Sequence, residues 1–377
     1  MKQFIFKIAI FIVLPFLSYA QTTNFDQKET VIDSIMKTKL VFKGKKPVHS
    51  FLLYGKNNTT GFEINKGVGI IGRNNTPVDE NYQYNTASIT KTFVAAIILQ
   101  LEEEGKLKIT DKAIQYLAND ANVRFEKINY FTEISIEMLL NHTSGIADVF
   151  TDAETKFNIS VLFHKKRQYT PQMLMDKFYK YKLNEKFFNK PGEGYHYSDI
   201  NYMMLGFIIE KITNQSLPQA IRERILEPLK MENTYFEYYE PIHGNGKRAD
   251  SYLNRINMTK NINTSYEWAG GGLVSTTKEL GIFIEALFDL KLFKNEKTLE
   301  KMIDITATKK LDAHYGLGLY KYDFNGKTFY GHGGFYGSIL AYNPADKVTI
   351  SANIGQAFAP FNTGELIQEL VKIISNP

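Results

Sequence analysis

The sequence predicts an α+β fold, an antiparallel sheet flanked by helices with an inserted, mainly helical domain. Three observations carry that expectation. Strand-like text is confined to the two ends of the chain, at 48–55 and 61–71 and again at 315–323, 327–332, 337–343 and 347–354. Between about 110 and 265 the text is mainly helical. Further helical segments, 25–40 and about 362–374, stand outside the strands at each end. Strands at the two ends can pair into one sheet, and the helical stretch between them is then an insertion. The junction of the two is a natural place for a pocket.

The elements follow in order. The turn-rich run Asn57-Asn58-Thr59-Thr60 separates the first two strands. Ser88 to Glu104 reads as a helix, apolar at Phe93, Ile97, Ile98 and Leu101 and stopped by Gly105. Helical segments at 135–141, 171–181, 199–213 and 217–228 fill the middle, and a helix at 277–289 follows the break Gly270-Gly271-Gly272. Asn325-Gly326 and Pro344-Ala345-Asp346 turn the last strands back on one another. There is no internal repeat and no low-complexity tract. The expected division is a leader over 1–20 and one unit over 21–377. Its α/β part spans about 25–110 and 266–377, and its helical part about 111–265.

Composition narrows the function. The 377 residues are 44% hydrophobic and 23% charged, a balance that excludes a disordered or fibrous chain. A core of this size needs no disulfide or metal staple. The chain has no cysteine, which removes disulfides, thiolate metal sites, a cysteine nucleophile and a lipid-bearing cysteine anchor. Met1 to Ala20 has the three parts of a secretory leader: Lys2 and Lys7, the apolar run Ile8–Leu17, and the small-residue ending Ser18-Tyr19-Ala20. That run is ten residues, against about 20 for a membrane span, and Pro15 interrupts it. Cleavage near Ala20 and a periplasmic or secreted protein without a membrane anchor are therefore expected. Removing the two leader lysines leaves 43 basic and 40 acidic residues, net +3, too little to imply a nucleic-acid partner. The clusters Lys43/Lys45/Lys46 and Lys165/Lys166/Arg167 read as solvated loops.

The chemistry is found partly by elimination. Histidines stand at 49, 142, 164, 196, 243, 314 and 332, with no HExxH, so a metal-hydrolase helix is not supported. There is no GxSxG elbow and no phosphate-binding glycine loop. What remains is Ser88-Ile89-Thr90-Lys91 at a helix start. Residues three apart share a helix face. A serine hydroxyl is a poor nucleophile until a base takes its proton, and a lysine amine held neutral by its surroundings is such a base. The helix N-terminus also favours a developing anion. The tetrad alone is a weak signal and reads more readily as a serine near a helix N-cap with a surface lysine. Two further words stand beside it. Tyr197-Ser198-Asp199 precedes an apolar helix, where Tyr197 can relay a proton or simply begin the helix. His332-Gly333-Gly334 ends a strand, where glycines let a substrate backbone come close.

With these words the sequence resembles the penicillin-recognising serine hydrolases of the serine β-lactamase superfamily. The likeness is to the branch of class C β-lactamases, D-alanyl-D-alanine carboxypeptidases and related esterases. The resemblance covers roughly residues 30–375. It rests on ordered words, namely Ser88-Ile89-Thr90-Lys91, Glu104-Gly105-Lys106-Leu107, Leu139-Leu140-Asn141-His142-Thr143-Ser144-Gly145, Pro191-Gly192 with Tyr197-Ser198-Asp199, Glu227-Pro228-Leu229-Lys230-Met231, Ala269-Gly270-Gly271-Gly272-Leu273 and His332-Gly333-Gly334. It implies a β-lactamase/transpeptidase-like fold and Ser88 as the acylated nucleophile. Lys91 and Tyr197 share the acid–base work, and the backbone N–H groups of Ser88 and Phe335 form the oxyanion hole. Asp199, His332, Gly333 and Gly334 contact substrate, with His332 binding a carboxylate when charged. No metal and no organic cofactor is implied.

Two departures from the pattern matter. His332 stands where class C β-lactamases carry Lys, which favours the peptidase and esterase side. Asp199 stands where Asn is frequent; an ionised Asp only accepts hydrogen bonds, which admits an amine-bearing substrate or an ester. Asp199 is also positioned to pair with Lys91 and weaken it as a neutral base. The expected substrate is a D-amino-acid peptide or peptidoglycan-stem amide, ahead of an ester and then a β-lactam. The rival from another class is a non-catalytic relative binding cell-wall fragments or a protein partner. His142-Thr143-Ser144-Gly145 is read as a structural turn, Gly326-Lys327-Thr328 as a hairpin turn, and Trp268 as either pocket wall or core.

Overall fold

Strands Ser50–Asn57 and Val348–Asn353 are buried along nearly their whole lengths. Strands covered on both faces lie at the centre of a sheet. In the computed structural model, which describes residues 9–72, 74–118 and 123–376 with side chains from residue 24 onward, they pair with each other. The antiparallel sheet has seven strands in the order Thr76–Pro77, Phe62–Ile71, Ser50–Asn57, Val348–Asn353, Ser338–Asn343, Lys327–Gly334, Tyr320–Phe324. The chain's two ends are thus joined edge to edge, with Leu53 opposite Ala352.

Strand side chains alternate between faces, and the two faces build different cores. Leu53, Phe51 and Ile350 pack with Ile32 and Met36 of helix Ala9–Thr38 and Leu370 and Ile374 of helix Thr363–Ser375. Leu52 and Leu340 belong to the larger core on the other face, with helices Thr90–Glu103 and Thr277–Phe288. Helix Thr90–Glu103 is buried without interruption from Thr90 to Leu99, so its expected stripe widens to the whole circumference, as in a central helix. Phe93 stacks on Phe283 of Thr277–Phe288, with centroids 3.6 Å apart. Side-chain caps at Thr170, Thr276 and Asn362 start the helices that follow them.

Several boundaries moved. Among the described residues the first helix spans Ala9–Thr38, where the sequence suggested 25–40. The segment expected as a strand from 315 joins the sheet only from Tyr320, Tyr315 making an isolated bridge back to Tyr320. Tyr315, Leu317 and Leu319 before it are buried in a loop, where Gly318 O accepts the Thr92 hydroxyl at 2.8 Å. The helix expected at 217–228 splits into Leu217–Ile221 and a π-turn, Arg222–Leu226. Helix Glu154–Phe163 has no apolar stripe and left no periodic signal. Of the leader expected at 1–20, residues 1–8 lie outside the described residues. Among the described residues, no helix is long and apolar enough to cross a membrane.

The Phe93–Phe283 stack ties the Ser88-bearing helix to the layer over the sheet. Phe283→Ala should lower unfolding free energy by about 3–5 kcal/mol, since it removes a fully buried ring and leaves a cavity. Urea unfolding followed by tyrosine fluorescence measures it; a loss below about 1 kcal/mol would show that the layers hold without the stack.

Candidate active site

The chain turns sharply just before the serine. Ala87 has φ +47°, a left-handed conformation that costs a residue with a Cβ about 1–3 kcal/mol and gathers at functional sites. Ser88 occupies a single 3₁₀ turn, Ala87–Ile89, from which helix Thr90–Glu103 continues. The spacing of three does what helix geometry requires: Lys91 Nζ donates to Ser88 Oγ at 3.0 Å. Lys91 is fully buried. It also donates to Asp199 Oδ1 at 2.5 Å and to the Gly270 carbonyl at 2.7 Å. An ammonium has three donors, and each has an acceptor here.

Asp199 opens helix Asp199–Thr213, where the free N–H groups favour an anion. The preceding Ser198 side chain does not cap this helix. Instead Asp148 Oδ1 accepts the Asp199 N–H at 2.8 Å, and Asp148 Oδ2 accepts those of Phe150 and Thr151 at 2.9 Å each. Burial, with the Asp199 charge beside it, holds the Asp148 carboxyl above the usual carboxylate range. Asp148 was not found in the sequence; it sits in a loop with no spacing rule to single it out.

Tyr197 lies with its ring centroid 5.0 Å from Lys91 Nζ and 4.2 Å from the His142 ring. Burial, and then the Asp199 charge, push its phenol well above the ordinary range, with the Ser88 hydroxyl acting the other way. At neutral pH it is a phenol, able to donate a proton. His142 and Ser144 meet only through Asn201: Ser144 Oγ donates to Asn201 Oδ1 at 2.7 Å, and His142 Nδ1 faces Asn201 Nδ2 at 3.1 Å. That is a turn clamp, with no serine–histidine dyad in it.

His332 corrects one expectation. It lines the pocket but is 2% exposed. Its Nδ1 lies 2.6 Å from the Gly333 carbonyl oxygen, which can only accept, so Nδ1 carries the proton. Its Nε2 lies 3.0 Å from the Tyr315 hydroxyl and must accept from it. Burial, reinforced by the Lys91 charge, brings its pKa down to about 3. A neutral imidazole with both nitrogens engaged is not the cation that would hold a substrate carboxylate. Tyr315, which sets this tautomer, lay unnoticed in what read as a strand.

Gly334 passes against the Thr86 carbonyl, so close that a Cβ would collide with it. A glycine there lets strand Lys327–Gly334 run beside the backbone that leads to Ser88. Phe335, next along, is 47% exposed and lines the same pocket as Ser88, Tyr197, Asp199 and Gly333. The cavity measures about 600 Å³. Trp268 is 1% exposed and packs on Phe207 with centroids 5.0 Å apart, so it belongs to the core. Asn325-Gly326 turns strand Tyr320–Phe324 into Lys327–Gly334, and Lys327, the first residue of that strand, is paired with Asp346.

A serine bonded to a buried lysine, in a cleft between an antiparallel sheet and its helices, marks a serine hydrolase of β-lactamase/transpeptidase-like fold. The profile of the β-lactamase family matches residues 41–358, and the chain belongs to that family. An Escherichia coli (strain K12) protein named putative D-alanyl-D-alanine carboxypeptidase is 28% identical over 313 residues, covering 71% of this chain and 67% of that protein. A D-stereospecific amidohydrolase from Streptomyces sp. is similar in structure with TM-score 0.71 and 24% identity, over 86% of this chain and 95% of that one. The D-amino acid amidase of Ochrobactrum anthropi SV3, complexed with D-phenylalanine, gives TM-score 0.75 and 19% identity, over 92% of this chain and 99% of that one. At these identities the two structures establish the fold alone.

The buried neutral His332 has a pH signature. Its pKa is about 3 folded against 6.5 for the free side chain, so the unfolded chain binds the extra proton between those values. Its contribution to stability is therefore complete above pH 6.5 and is lost as pH falls toward 3. Between pH 7 and 4 the wild type should lose roughly 3 kcal/mol more stability than His332→Gln, in which this titration is absent. Denaturant melts across that range measure the difference; parallel curves for the two proteins would contradict the assignment.

Proposed function

We propose that this serine hydrolase works through an acyl-enzyme on Ser88, with amides of D-amino acids, free or in short peptides, as substrates. Peptidoglycan stems are one source of such amides. The observation that carries the reading is the 3.0 Å contact of Lys91 Nζ with Ser88 Oγ at the foot of the pocket. The D-amino-acid class draws support from the names of the similar proteins, a putative D-alanyl-D-alanine carboxypeptidase, a D-stereospecific amidohydrolase and a D-amino acid amidase. Export before folding, with cleavage near Ala20 and a periplasmic or secreted product, is part of the proposal and rests on the leader-like text of Met1–Ala20.

The proposed steps use the groups described above. Lys91 shares its proton with Asp199 across their 2.5 Å contact and, once neutral, takes the Ser88 proton. Ser88 Oγ then bonds to the carbonyl carbon, and the developing oxyanion is met by the N–H groups of Ser88 and Phe335. Tyr197, a phenol at neutral pH, delivers a proton to the departing amine as the C–N bond breaks. It recovers its proton through Lys91. Water adds to the acyl-enzyme by the reverse relay, releasing the acid and restoring the Ser88 hydroxyl.

Intact-mass spectrometry after p-nitrophenyl acetate, with benzylpenicillin run beside it, tests the nucleophile. An acetyl adduct should form on the wild type and be absent from Ser88→Ala. Lys91→Ala and Tyr197→Phe should each slow its formation by about 10²–10⁴. An adduct that persists in Ser88→Ala removes Ser88 from the mechanism, and near-normal rates in either other variant remove that residue.

A further inference from the structure

The Ser88 pocket has an unusual charge inventory for a protein that is net basic. Three acidic side chains line it, Glu154, Asp199 and Glu267, and no lysine or arginine does. Two of the three are accounted for. Asp199 is paired with Lys91, and Glu154 is exposed at the start of helix Glu154–Phe163. Glu267 has no cationic partner among the described residues. Its Oε1 accepts the Tyr336 hydroxyl at 2.6 Å, and its Oε2 takes no hydrogen bond from the described residues.

Its position is built. Trp268, the next residue, takes φ +29° and ψ −122°, a conformation that residues with a Cβ rarely adopt. The carboxyl group stands near the backbone that leads into Ser88. A Cβ placed on Gly271 would lie 2.8 Å from Glu267 Oε2 and 3.4 Å from the carbonyl carbon of Ala87, the residue before the nucleophile. Any side chain at 271 would displace that oxygen. Around it the walls are aromatic, among them Phe150, Phe157, Tyr266, Phe335 and Phe358. Ring faces attract cations and repel anions.

A ligand carboxylate therefore finds no free counter-charge lining this pocket, because His332 is neutral and Lys91 is fully buried and already paired with Asp199. An ammonium finds Glu267. We propose that Glu267 is the specificity-determining residue of the pocket, binding the free α-ammonium of the acyl portion. The substrates are then amides or esters of amino acids with an unblocked amino group; this narrows the class proposed above and leaves out peptidoglycan stems cleaved at a C-terminal D-amino acid, in which the acyl amine is blocked and a carboxylate is free. The proposal rests on the Ser88 reading for the orientation of the acyl group. An α-amino group is two bonds from the carbonyl carbon that Ser88 attacks, which suits a carboxylate beside the nucleophile's own backbone.

Proton accounting agrees. Burial brings the Glu267 carboxyl up to about 8; Tyr336 opposes that, Glu237 and Asp199 add to it, and Lys91 opposes it. An arriving ammonium supplies the missing counter-charge, and the carboxyl proton leaves to solvent. Affinity for an amine should rise with pH up to about 8, where an α-amino group begins to lose its own proton.

The test is binding rather than turnover. Calorimetric titration of Ser88→Ala with D-phenylalanine amide and with N-acetyl-D-phenylalanine amide should favour the free amine by about 10- to 100-fold, the range for a charged hydrogen bond. Adding Glu267→Gln, which keeps an acceptor for Tyr336, should collapse that ratio toward one. Equal binding of the two ligands, binding of neither, or a ratio that survives Glu267→Gln would overturn the proposal. The acetyl-adduct experiment fails or succeeds separately. An ammonium preference with no Ser88 adduct would leave the Glu267 site standing and remove the nucleophile.

Discussion

A buried ammonium cannot be left without partners, because taking a charge out of water costs several kcal/mol that only close acceptors offset. Lys91 is fully buried, and its three acceptors come from three different places in the chain. Ser88 is in the 3₁₀ turn that leads into the same helix, Asp199 begins a helix more than a hundred residues later, and the Gly270 carbonyl belongs to the glycine break beyond that. Satisfying one lysine therefore locks the central helix, the inserted helical part and the return to the sheet into one arrangement. The strain at Ala87 is tolerated because this network over-determines the turn.

The groups around the lysine are arranged so that protonation states differ sharply over short distances. Tyr197 is held as a phenol, His332 and His142 as neutral imidazoles, and Asp148 and Glu267 toward their protonated forms, in each case chiefly by burial. The Lys91–Asp199 pair is the exception, a contact of opposite charges in an otherwise discharged site. A site of this kind offers one ionic relay and several fixed hydrogen-bond donors, which is what stepwise proton transfer to and from a serine needs. It also leaves the outer pocket acidic and aromatic, so substrate choice is governed by Glu267 and the rings rather than by His332-Gly333-Gly334.

Legibility followed the range of the interaction. The helix bearing Ser88 and Lys91 was readable because both residues lie on one turn, and periodicity reports such neighbours directly. The end strands were readable because strand patterns and the Asn325-Gly326 turn are local. The segment 315–319 misled, since buried apolar residues in a loop look like a strand until their pairing is known. Tyr315 then proved decisive, because its hydroxyl sets the His332 tautomer and removes the charge that the sequence alone allowed that histidine. Asp148 and Glu267 carried no local signal; each matters through what burial does to a single carboxyl group.

The sequence by itself determined the order of the elements, the β-lactamase-like class, and the residues Ser88, Lys91, Tyr197 and Asp199 that meet in the cleft. Those follow from short-range patterns and ordered words, which a one-dimensional reading can hold. Only the tertiary structure decided how the groups are charged. Protonation depends on solvent access and on neighbours from distant segments, as where Tyr315 meets His332 and Tyr336 meets Glu267. The fold decides which side chains lose water and which gain a partner, and that decision sets what the pocket can bind.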